Sequence, residues 1–515
     1  MKKSLTIFVV FVSAFFVSQL FASSFDFDND DGYKLIVKFS ADYVFDAEDG
    51  ELFLSPVKTI SQKEVDIIER YQYEQVMDFS EEEKKRMRTG TYLAPRGRSS
   101  FNIYNYRGLV YVKGAETKTL EELSAIVKDL EQLHFVEYTD LVPLRPPADP
   151  SINHLVRSDT PDLTAHQDYR QYIVEGDIIG INIEYAWNIG VYGQGIKIAD
   201  IESGFDYEHE DLQSDDFVEL VPHFQGTAID HGTAVAGIMI AIDNDYGMTG
   251  MVHQADKFFG ISRFPNSNTI EIPSGIAAGL EELEAGDVFV FEIQSFGPFD
   301  PDDERYIPAD WSETVWDLTQ DATDAGIIVV AVAGNGAVDL DDEPLLEDYM
   351  NRGDNGAIIV GAGTRDGRNR AFFSTYGSRV NLQGWGDWTV ATTGYGDLFD
   401  GGTHRTYTGE FAGTSSATPI VASAVVAVQS FAKNELGFVL TPLEMRNLLV
   451  ETGTPQGTGW GDAKNIVPQP NVGAAIEQLI QEYGDPVALP VRNWALFLGM
   501  GFMMLFALYG VRRIY

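Results

Sequence analysis

Five short apolar runs separated by helical segments constrain the fold of this 515-residue chain more than any other feature. Each run is nearly continuous, which is typical of parallel strands buried on both faces of a sheet. The stretches between them have helical character, notably residues 274–285 and 311–325. This alternation predicts an α/β domain with a parallel sheet. The runs lie at residues 196–201, 258–261, 288–293, 327–333 and 358–360.

A smaller α+β unit is predicted ahead of this domain. Strands are expected at residues 33–40 and 108–114, and an amphipathic helix at 119–133 starts with a Thr-Leu-Glu-Glu capping box. The charged segment 61–87 predicts an inserted helix. Residues 145–160 are rich in proline and polar residues, which is typical of a linker.

The two ends of the chain predict export. Two lysines, an apolar stretch and a small residue at Ala22 are typical of a signal peptide. Residues 494–511 carry no charge and precede Arg512 and Arg513, so they are long enough to span a bilayer with the arginines on the cytoplasmic side. They form either an anchor or a removable sorting tail. We expect a protein exported from a bacterial cell, then anchored to the envelope or released.

Composition narrows the classes of partner. The chain has 36 Lys and Arg against 78 Asp and Glu, and the net charge of −42 argues against nucleic acid or anionic membrane surfaces as partners. It has no cysteine, so the exported fold contains no disulfide. Its stability must come from the size of the core or from bound ions.

The segment Gly413-Thr-Ser-Ser-Ala-Thr-Pro419 precedes an apolar helix predicted at residues 420–431. Gly413 allows a sharp turn, and Pro419 suits the first turn of a helix. Ser415 is therefore expected at a helix N-terminus, where backbone N–H groups can stabilise an oxyanion. Serine and threonine also cap helices, so this segment alone fits a structural cap as well as a nucleophile.

A serine nucleophile needs a histidine base and a carboxylate that orients it. Of eight histidines, His231 lies in a suitable motif, Asp-His-Gly-Thr-Ala-Val-Ala-Gly, whose small residues let a helix pack closely behind the imidazole. Asn335 follows a buried run, where ligands bind in open α/β sheets, so its amide can donate to an oxyanion. A helix cap at His231 and a simple turn at Asn335 are the alternatives.

Three acids compete for the orienting role. Asp200 and Glu202 lie on the same side of one predicted strand, because side chains alternate along it. Glu202 is at the strand end, directly before a Ser-Gly turn, and Asp200 is two residues deeper. Asp230 adjoins the histidine in sequence but is expected to point elsewhere. The position at the strand end favours Glu202.

In the order acid, histidine, asparagine and serine, these segments resemble the subtilisin-like serine proteases, the subtilases. The resemblance covers about residues 180–449, and Ile-Gln-Ser-Phe-Gly at 293–297 matches the segment that pairs with substrate backbone. It implies a subtilisin-like parallel sheet flanked by helices and a serine endopeptidase acting on proteins or peptides. The implied roles are catalysis by Glu202, His231 and Ser415, an oxyanion hole with Asn335, and substrate binding by Ser295, Phe296, Gly297 and Gly334.

The same resemblance implies a propeptide, a metal and a membrane contact. Residues 23–150 resemble a propeptide that inhibits the enzyme until it is cut away. Subtilases often hold calcium in a loop after the histidine helix, and oxygen-rich ligation suits that ion. The implied ligands are Asp211, Ile242, Asn244, Tyr246 and Met248. The predicted domains are a signal peptide at 1–22, the propeptide-like domain at 23–150, a linker and start of the mature region at 151–179, the catalytic domain at 180–480, a linker at 481–493 and a membrane or sorting helix at 494–515.

Two other classes of protein compete with this interpretation. Glu202 occupies a position where subtilases usually have aspartate, so a catalytically inactive subtilase fold that serves as a surface binding protein is one alternative. An α/β-hydrolase is the other, and it fails because that fold needs a histidine after the serine, whereas His404 is the last histidine and precedes Ser415.

Overall fold

The computed structural model describes residues 33–484, apart from gaps at 42, 49, 55–57, 78, 81–83, 86–102, 144–159, 174–176, 267–269, 300–302, 304, 366–367 and 458–464. The predicted signal peptide and the predicted C-terminal helix lie outside the described residues, as does nearly all of the predicted linker at 145–160.

The N-terminal region contains a four-stranded antiparallel sheet with the strand order β4-β5-β1-β6 and a separate β2-β3 hairpin. Both bonds of the predicted capping box are present at the start of its second helix, between Thr119 and Glu122. The elements are β1 (Tyr33–Phe39), β2 (Val44–Glu48), β3 (Glu51–Leu54), α1 (Gln62–Ile68), β4 (Tyr73–Gln75), β5 (Leu109–Val112), α2 (Leu120–Leu130) and β6 (Val136–Pro143).

The single helix predicted at residues 61–87 is wrong. Helix α1 ends at Ile68, and the chain then forms β4, which pairs with β5. Tyr73 of β4 is buried, with its ring edge-on to Phe39 at 5.8 Å. Burial of this aromatic ring on the sheet therefore overrides the helical pattern of charges.

Seven parallel strands form the central sheet of the larger domain, in the order β15-β14-β13-β10-β7-β9-β8. All five predicted strands are present, and the sheet gains β8 and β15. The seven are β7 (Lys197–Glu202), β8 (Phe217–Val221), β9 (Lys257–Ser262), β10 (Val288–Phe291), β13 (Ile328–Val332), β14 (Ile358–Gly363) and β15 (Leu382–Trp385). Shorter strands are β11 (Gln294–Ser295), β12 (Ile307–Pro308), β16 (Val390–Thr393), β17 (Phe399–Asp400) and β18 (Thr406–Phe411).

Helices cover both faces of this sheet. Alternate strand residues such as Ile198 and Val290 pack with α4 and α8, while Ile201 and Phe291 pack with α5 and α6 on the opposite face. The helices are α3 (Ile183–Asn188), α4 (Asp230–Ile240), α5 (Ile272–Glu282), α6 (Glu313–Asp324), α7 (Glu347–Asn351), α8 (Thr414–Phe431), α9 (Pro442–Thr452) and α10 (Val472–Tyr483).

Helix α8 begins earlier than predicted. It starts at Thr414, after Gly413 with φ 96°, so that Pro419 lies inside the helix and not in its first turn. Because proline has no N–H, Pro419 cannot donate to the carbonyl of Ser415. Every residue of α8 is buried. Among the described residues, the helical segment Thr414–Leu436 is the one long and apolar enough to cross a membrane, yet its apolar 18-residue window is buried throughout, as in a core helix.

The N-terminal sheet packs against α5, α6 and the segment before α5. Lys34 Nζ lies 2.5 Å from Glu271 Oε1, and the Tyr106 hydroxyl donates to Asp321 Oδ2 at 2.8 Å. Apolar side chains of β1 and β5 join the core cluster of the larger domain, including Ile36. The two parts therefore share one continuous apolar contact with polar bonds around it.

Candidate active site

The predicted catalytic side chains gather at the carboxyl end of the central strands. Glu202 ends β7, and Asn335 follows β13 by three residues. His231 lies in the first turn of α4 and Ser415 in the first turn of α8. Both helices cover the same face of the sheet, so their first turns face one strand edge. Loops that follow parallel strands are where α/β folds place ligands.

Glu202 and His231 form a direct contact. Glu202 Oε1 lies 2.5 Å from His231 Nδ1, and Glu202 Oε2 accepts the Ser203 N–H at 2.7 Å. Glu202 is fully buried and His231 is 5% exposed. Both carboxylate oxygens are therefore fixed, and one of them orients the imidazole, so a glutamate side chain reaches the histidine from the strand end.

Glycines allow α4 to approach this strand end closely. A Cβ at Gly232 would collide with the carbonyl oxygen of Gly204, and a Cβ at Gly237 would collide with the Thr393 hydroxyl. The ring of Phe411 packs edge-on against His231 with 5.4 Å between centroids. The predicted close packing behind the imidazole is thus present.

Neither rival acid contacts the histidine in the described structure. Asp230 Oδ1 accepts the Tyr395 N–H at 3.2 Å, so this side chain points away, as expected. Both carboxyl oxygens of Asp200 are buried and have no hydrogen-bond partner among the described residues. Burial, followed by the charge of Glu202, raises the pKa of Asp200 well above its usual range. The neutral form of Asp200 is therefore favoured in the folded protein.

Asn335 is fixed against the first turn of α8. Its Oδ1 accepts from the Thr414 N–H at 2.8 Å and from the Thr414 hydroxyl at 3.0 Å, and its own N–H donates to Gln294 Oε1 at 2.9 Å. Because the Thr414 N–H can only donate, the amide oxygen must face it, which leaves Nδ2 to donate elsewhere. Ser415, the next residue, is 8% exposed.

The predicted substrate-binding segment lies alongside. Ser295 ends β11, which pairs with β12, and its hydroxyl accepts the Gly297 N–H at 3.0 Å. Phe296 is buried, with its ring 5.0 Å from that of Tyr306. Gly334 has φ 97°, a conformation that favours glycine. The buried Phe296 ring thus forms part of the wall of the cavity beside this segment.

The predicted calcium ligands Asp211 and Asn244 are brought together. Asn244 Nδ2 lies 3.0 Å from Asp211 Oδ1, and the Met248 N–H donates to Asp211 Oδ2 at 2.7 Å. Asp211 is fully buried, and a Cβ at Gly247 would collide with its carboxylate. Met248 is buried as well, whereas Tyr246 is exposed. Ile242 adjoins this pair, since its N–H donates to the Asp211 carbonyl at 2.8 Å.

Sequence reasoning missed a second acid beside the site. Glu292 lies one residue beyond β10 and is 4% exposed, and it was counted within an apolar run. Burial and then the negative charge of Glu202 raise the pKa of Glu292, and the nearby Ser415 hydroxyl lowers it. An acid that interrupts the otherwise apolar stretch Val-Phe-Val-Phe-Glu-Ile was the available signal.

Comparison with known proteins agrees with this arrangement. The sequence profile described as the subtilase family (Peptidase_S8) matches residues 193–470, more than half of the chain. The chain belongs to the subtilase family. This subtilase is a serine-type endopeptidase, as its family and its subtilisin relatives indicate.

Its similarity to curated proteins centres on the catalytic domain. It is 30% identical to Subtilisin Savinase of Lederbergia lenta over 275 residues, which are 53% of this chain and 88% of that protein. It is 28% identical to Subtilisin E of Bacillus subtilis (strain 168) over 338 residues, which are 64% of this chain and 76% of that protein. These alignments support the predicted family and the predicted fold.

A solved structure shares the fold over a longer stretch. Fervidolysin from Fervidobacterium pennivorans matches with a TM-score of 0.52 and 18% identity, over 87% of this chain and 61% of that one. At this identity the likeness is one of fold, and it agrees with the expected subtilisin-like parallel sheet flanked by helices.

Proposed function

We propose that this subtilase hydrolyses peptide bonds through Ser415, with His231 as the general base and Glu202 as the acid that orients it. The 2.5 Å contact between Glu202 Oε1 and His231 Nδ1 carries the proposal. It keeps a proton on Nδ1, so Nε2 is the nitrogen that accepts the proton of the serine hydroxyl. The Ser415 oxygen then attacks the scissile carbonyl and forms an acyl-enzyme, which water hydrolyses.

The developing oxyanion is stabilised by two donors in this proposal. They are Nδ2 of Asn335 and the backbone N–H of Ser415 at the start of α8. The amide orientation of Asn335, set by Thr414, supports the first donor. The position of Ser415 in the first turn of a helix supports the second, since N–H groups there have no partner within the helix.

Ser415→Ala tests this assignment. We expect a folded protein that has lost peptidase activity, no longer reacts with a fluorophosphonate probe, and keeps its N-terminal region uncut. Mass analysis of both chain ends shows the processing, and Ser416→Ala is a matched control, because the Ser416 hydroxyl is bonded to the Trp385 carbonyl at 2.9 Å. Peptidase activity that is equal in Ser415→Ala and wild type contradicts the triad, and a wild type that neither cleaves peptides nor reacts with the probe favours an inactive, binding role.

We also propose that residues 23–150 act as a propeptide. Leu141 and Val142 of β6 line an apolar cavity together with Ser295 and Phe296, so β6 ends beside the substrate-binding segment. The end of β6 beside this segment supports inhibition followed by cleavage between about residues 145 and 171. Export through the signal peptide belongs to the same proposal, with residues 494–515 acting either as an envelope anchor or as a removable sorting tail. Protein or peptide substrates and the propeptide are then its partners.

Calcium is proposed as a structural ion held by Asp211 and Asn244, with carbonyls of Ile242, Tyr246 and Met248. A separation of 3.0 Å between the two side chains suits two ligands of one cation once the Asn244 amide turns its oxygen inward. Burial raises the pKa of Asp211 to about 7, so a cation would offset the cost of its charge. The ion would supply stability, and the chemistry stays with Glu202, His231 and Ser415.

A further inference from the structure

Glu292 is a buried acid at the centre of the site that the proposed triad does not use. Strands β10 and β7 are in parallel register, with Val290 beside Asp200 and Phe291 beside Ile201. One step further, Glu292 comes beside Glu202. Alternate residues share a face, so Glu292 lies on the same face as Val290, which is the face covered by α4 and α8.

The charged and titratable neighbours of Glu292 come from each surrounding element. Asp200 and Glu202 lie on β7, and Arg263 follows β9. Ser415 lies in α8, and His231 of α4 reaches Glu202.

These neighbours leave the carboxyl of Glu292 unsatisfied. Both of its oxygens are buried and have no hydrogen-bond partner among the described residues. The Arg263 guanidinium directs its Nη2 to Ser203 Oγ at 2.7 Å, and its Nε has no hydrogen-bond partner among the described residues, so neither nitrogen bonds to Glu292. Two further acids, Asp200 and Glu202, are themselves fully buried. A negative charge on Glu292 would therefore be costly, since it would lack water and have only the nearby Ser415 hydroxyl as a donor.

Electrostatics agree with this geometry. Burial raises the pKa of Glu292 well above its usual range, and the charges of Glu202 and Asp200 raise it further. The Ser415 hydroxyl and Arg263 lower it, but by less. Burial and the two neighbouring acids therefore favour the protonated form of Glu292.

We propose that Glu292 is a positioning residue that must stay protonated for catalysis, and that its ionisation at alkaline pH inactivates the enzyme. A charge on Glu292 would lie beside the serine on which the oxyanion develops, and would oppose that charge. It would also favour the protonated imidazolium of His231, which cannot act as a base. This inference rests on the proposed roles of His231 and Ser415.

Glu292→Gln tests the proposal, because it keeps the shape of the side chain and removes its ionisation. Whatever happens to the maximal rate, we expect the alkaline fall of kcat/KM to move upward by about one pH unit or more. Glu292→Met, which is uncharged and similar in length, should show the same shift. Glu282→Gln at the exposed end of α5 is the matched control and should not. The same alkaline limb in all four proteins overturns the proposal.

A stability measurement separates this inference from the triad assignment. The folded-state pKa of Glu292 is raised, so the folded protein holds a proton that the unfolded chain releases, and stability falls as pH rises through that range. In a Ser415→Ala background, Glu292→Gln should therefore raise Tm by an increment that grows between about pH 5 and pH 8. An increment independent of pH overturns the proposal even where the triad holds. Peptidase activity that persists in the Ser415→Ala single variant overturns the triad assignment instead.

Discussion

Buried carboxyls occur in two regions of this subtilase with opposite surroundings. Where the N-terminal sheet meets the larger domain, burial raises the pKa of Asp140 and of Asp321. Each of these acids nevertheless has a donor from across the boundary. Asp140 accepts from the Ser312 hydroxyl, and Asp321 accepts from the Tyr106 hydroxyl at 2.8 Å. Both acids at this boundary therefore accept a hydrogen bond from a hydroxyl on the other side.

At the carboxyl end of the central sheet the surroundings differ. Asp200 and Glu292 are more fully buried than Asp140 and the partly buried Asp321, yet no oxygen of Asp200 or Glu292 meets hydrogen-bond geometry with a described residue. Glu202, between them, has both oxygens engaged. Buried polar groups are almost always paired, so two unpaired acids around one paired acid indicate a site that serves chemistry at a cost in stability.

The largest expected effect separates two acids of one strand. Glu202→Gln keeps the size of the side chain but removes the charge that stabilises the imidazolium of His231, so we expect a loss of roughly 10⁴ in kcat. Asp200→Asn should cost far less, because burial favours the neutral form of Asp200 and its side chain does not contact the histidine. Steady-state kinetics on one peptide substrate compare the two. The reverse order would make Asp200 the orienting acid.

Asn335→Ala should have the next largest effect. It removes one oxyanion donor, which typically costs about 10² to 10³ in kcat. Its activity should therefore fall between those of wild type and Ser415→Ala. Asn335→Asp, of nearly the same shape, is the matched variant and should be at least as impaired, because a carboxylate cannot donate to an anion. Wild-type turnover in either variant removes Asn335 from the oxyanion hole.

The sequence alone was sufficient to predict elements that a local residue pattern marks. The continuous apolar runs predicted five strands, and the turn after β7 singled out Glu202. It was insufficient for β15, because Leu-Gln-Gly-Trp has no apolar run, and its burial comes from neighbours distant in the chain. The sequence pattern places Pro419 in the first turn of a helix, whereas in the structure α8 starts earlier and continues through Pro419. Glu292 was missed because its significance depends on strand register with Glu202.

A pair of stability variants addresses the comparison between the two regions. In the uncut Ser415→Ala protein, Tyr106→Phe leaves Asp321 without that donor, and we expect a loss of about 1–3 kcal/mol and a lower Tm. Asp200→Asn should instead raise Tm at neutral pH, because it removes an unpaired acid. The folded-state pKa of Asp200 is raised, so this gain should grow as pH rises. Changes of the same sign in both variants contradict the distinction.

Calcium removal should have the smallest effect. A ligand that binds only the folded state stabilises it by mass action, so chelation should lower Tm by a few degrees while kcat at low temperature is retained. Asp211→Asn should abolish the response to calcium. Asp256→Asn is the control, because Asp256 Oδ1 accepts the Gly195 N–H at 2.7 Å, away from the proposed ligands. A Tm that does not respond to chelation removes this site.

The burial of α8 has a consequence for the export of the chain that is proposed above. An exported polypeptide is threaded unfolded, and the segment Thr414–Leu436 then presents an apolar stretch that could halt the threading as a stop-transfer sequence does. Polar residues within the segment lower that risk, and the fold provides hydrogen-bond acceptors for three of the buried ones. Ser423 donates to the Pro419 carbonyl, Gln429 to that of Leu440 and Ser430 to that of Gln194. The same side chains thus favour passage of the unfolded chain and are fully bonded once the core has formed.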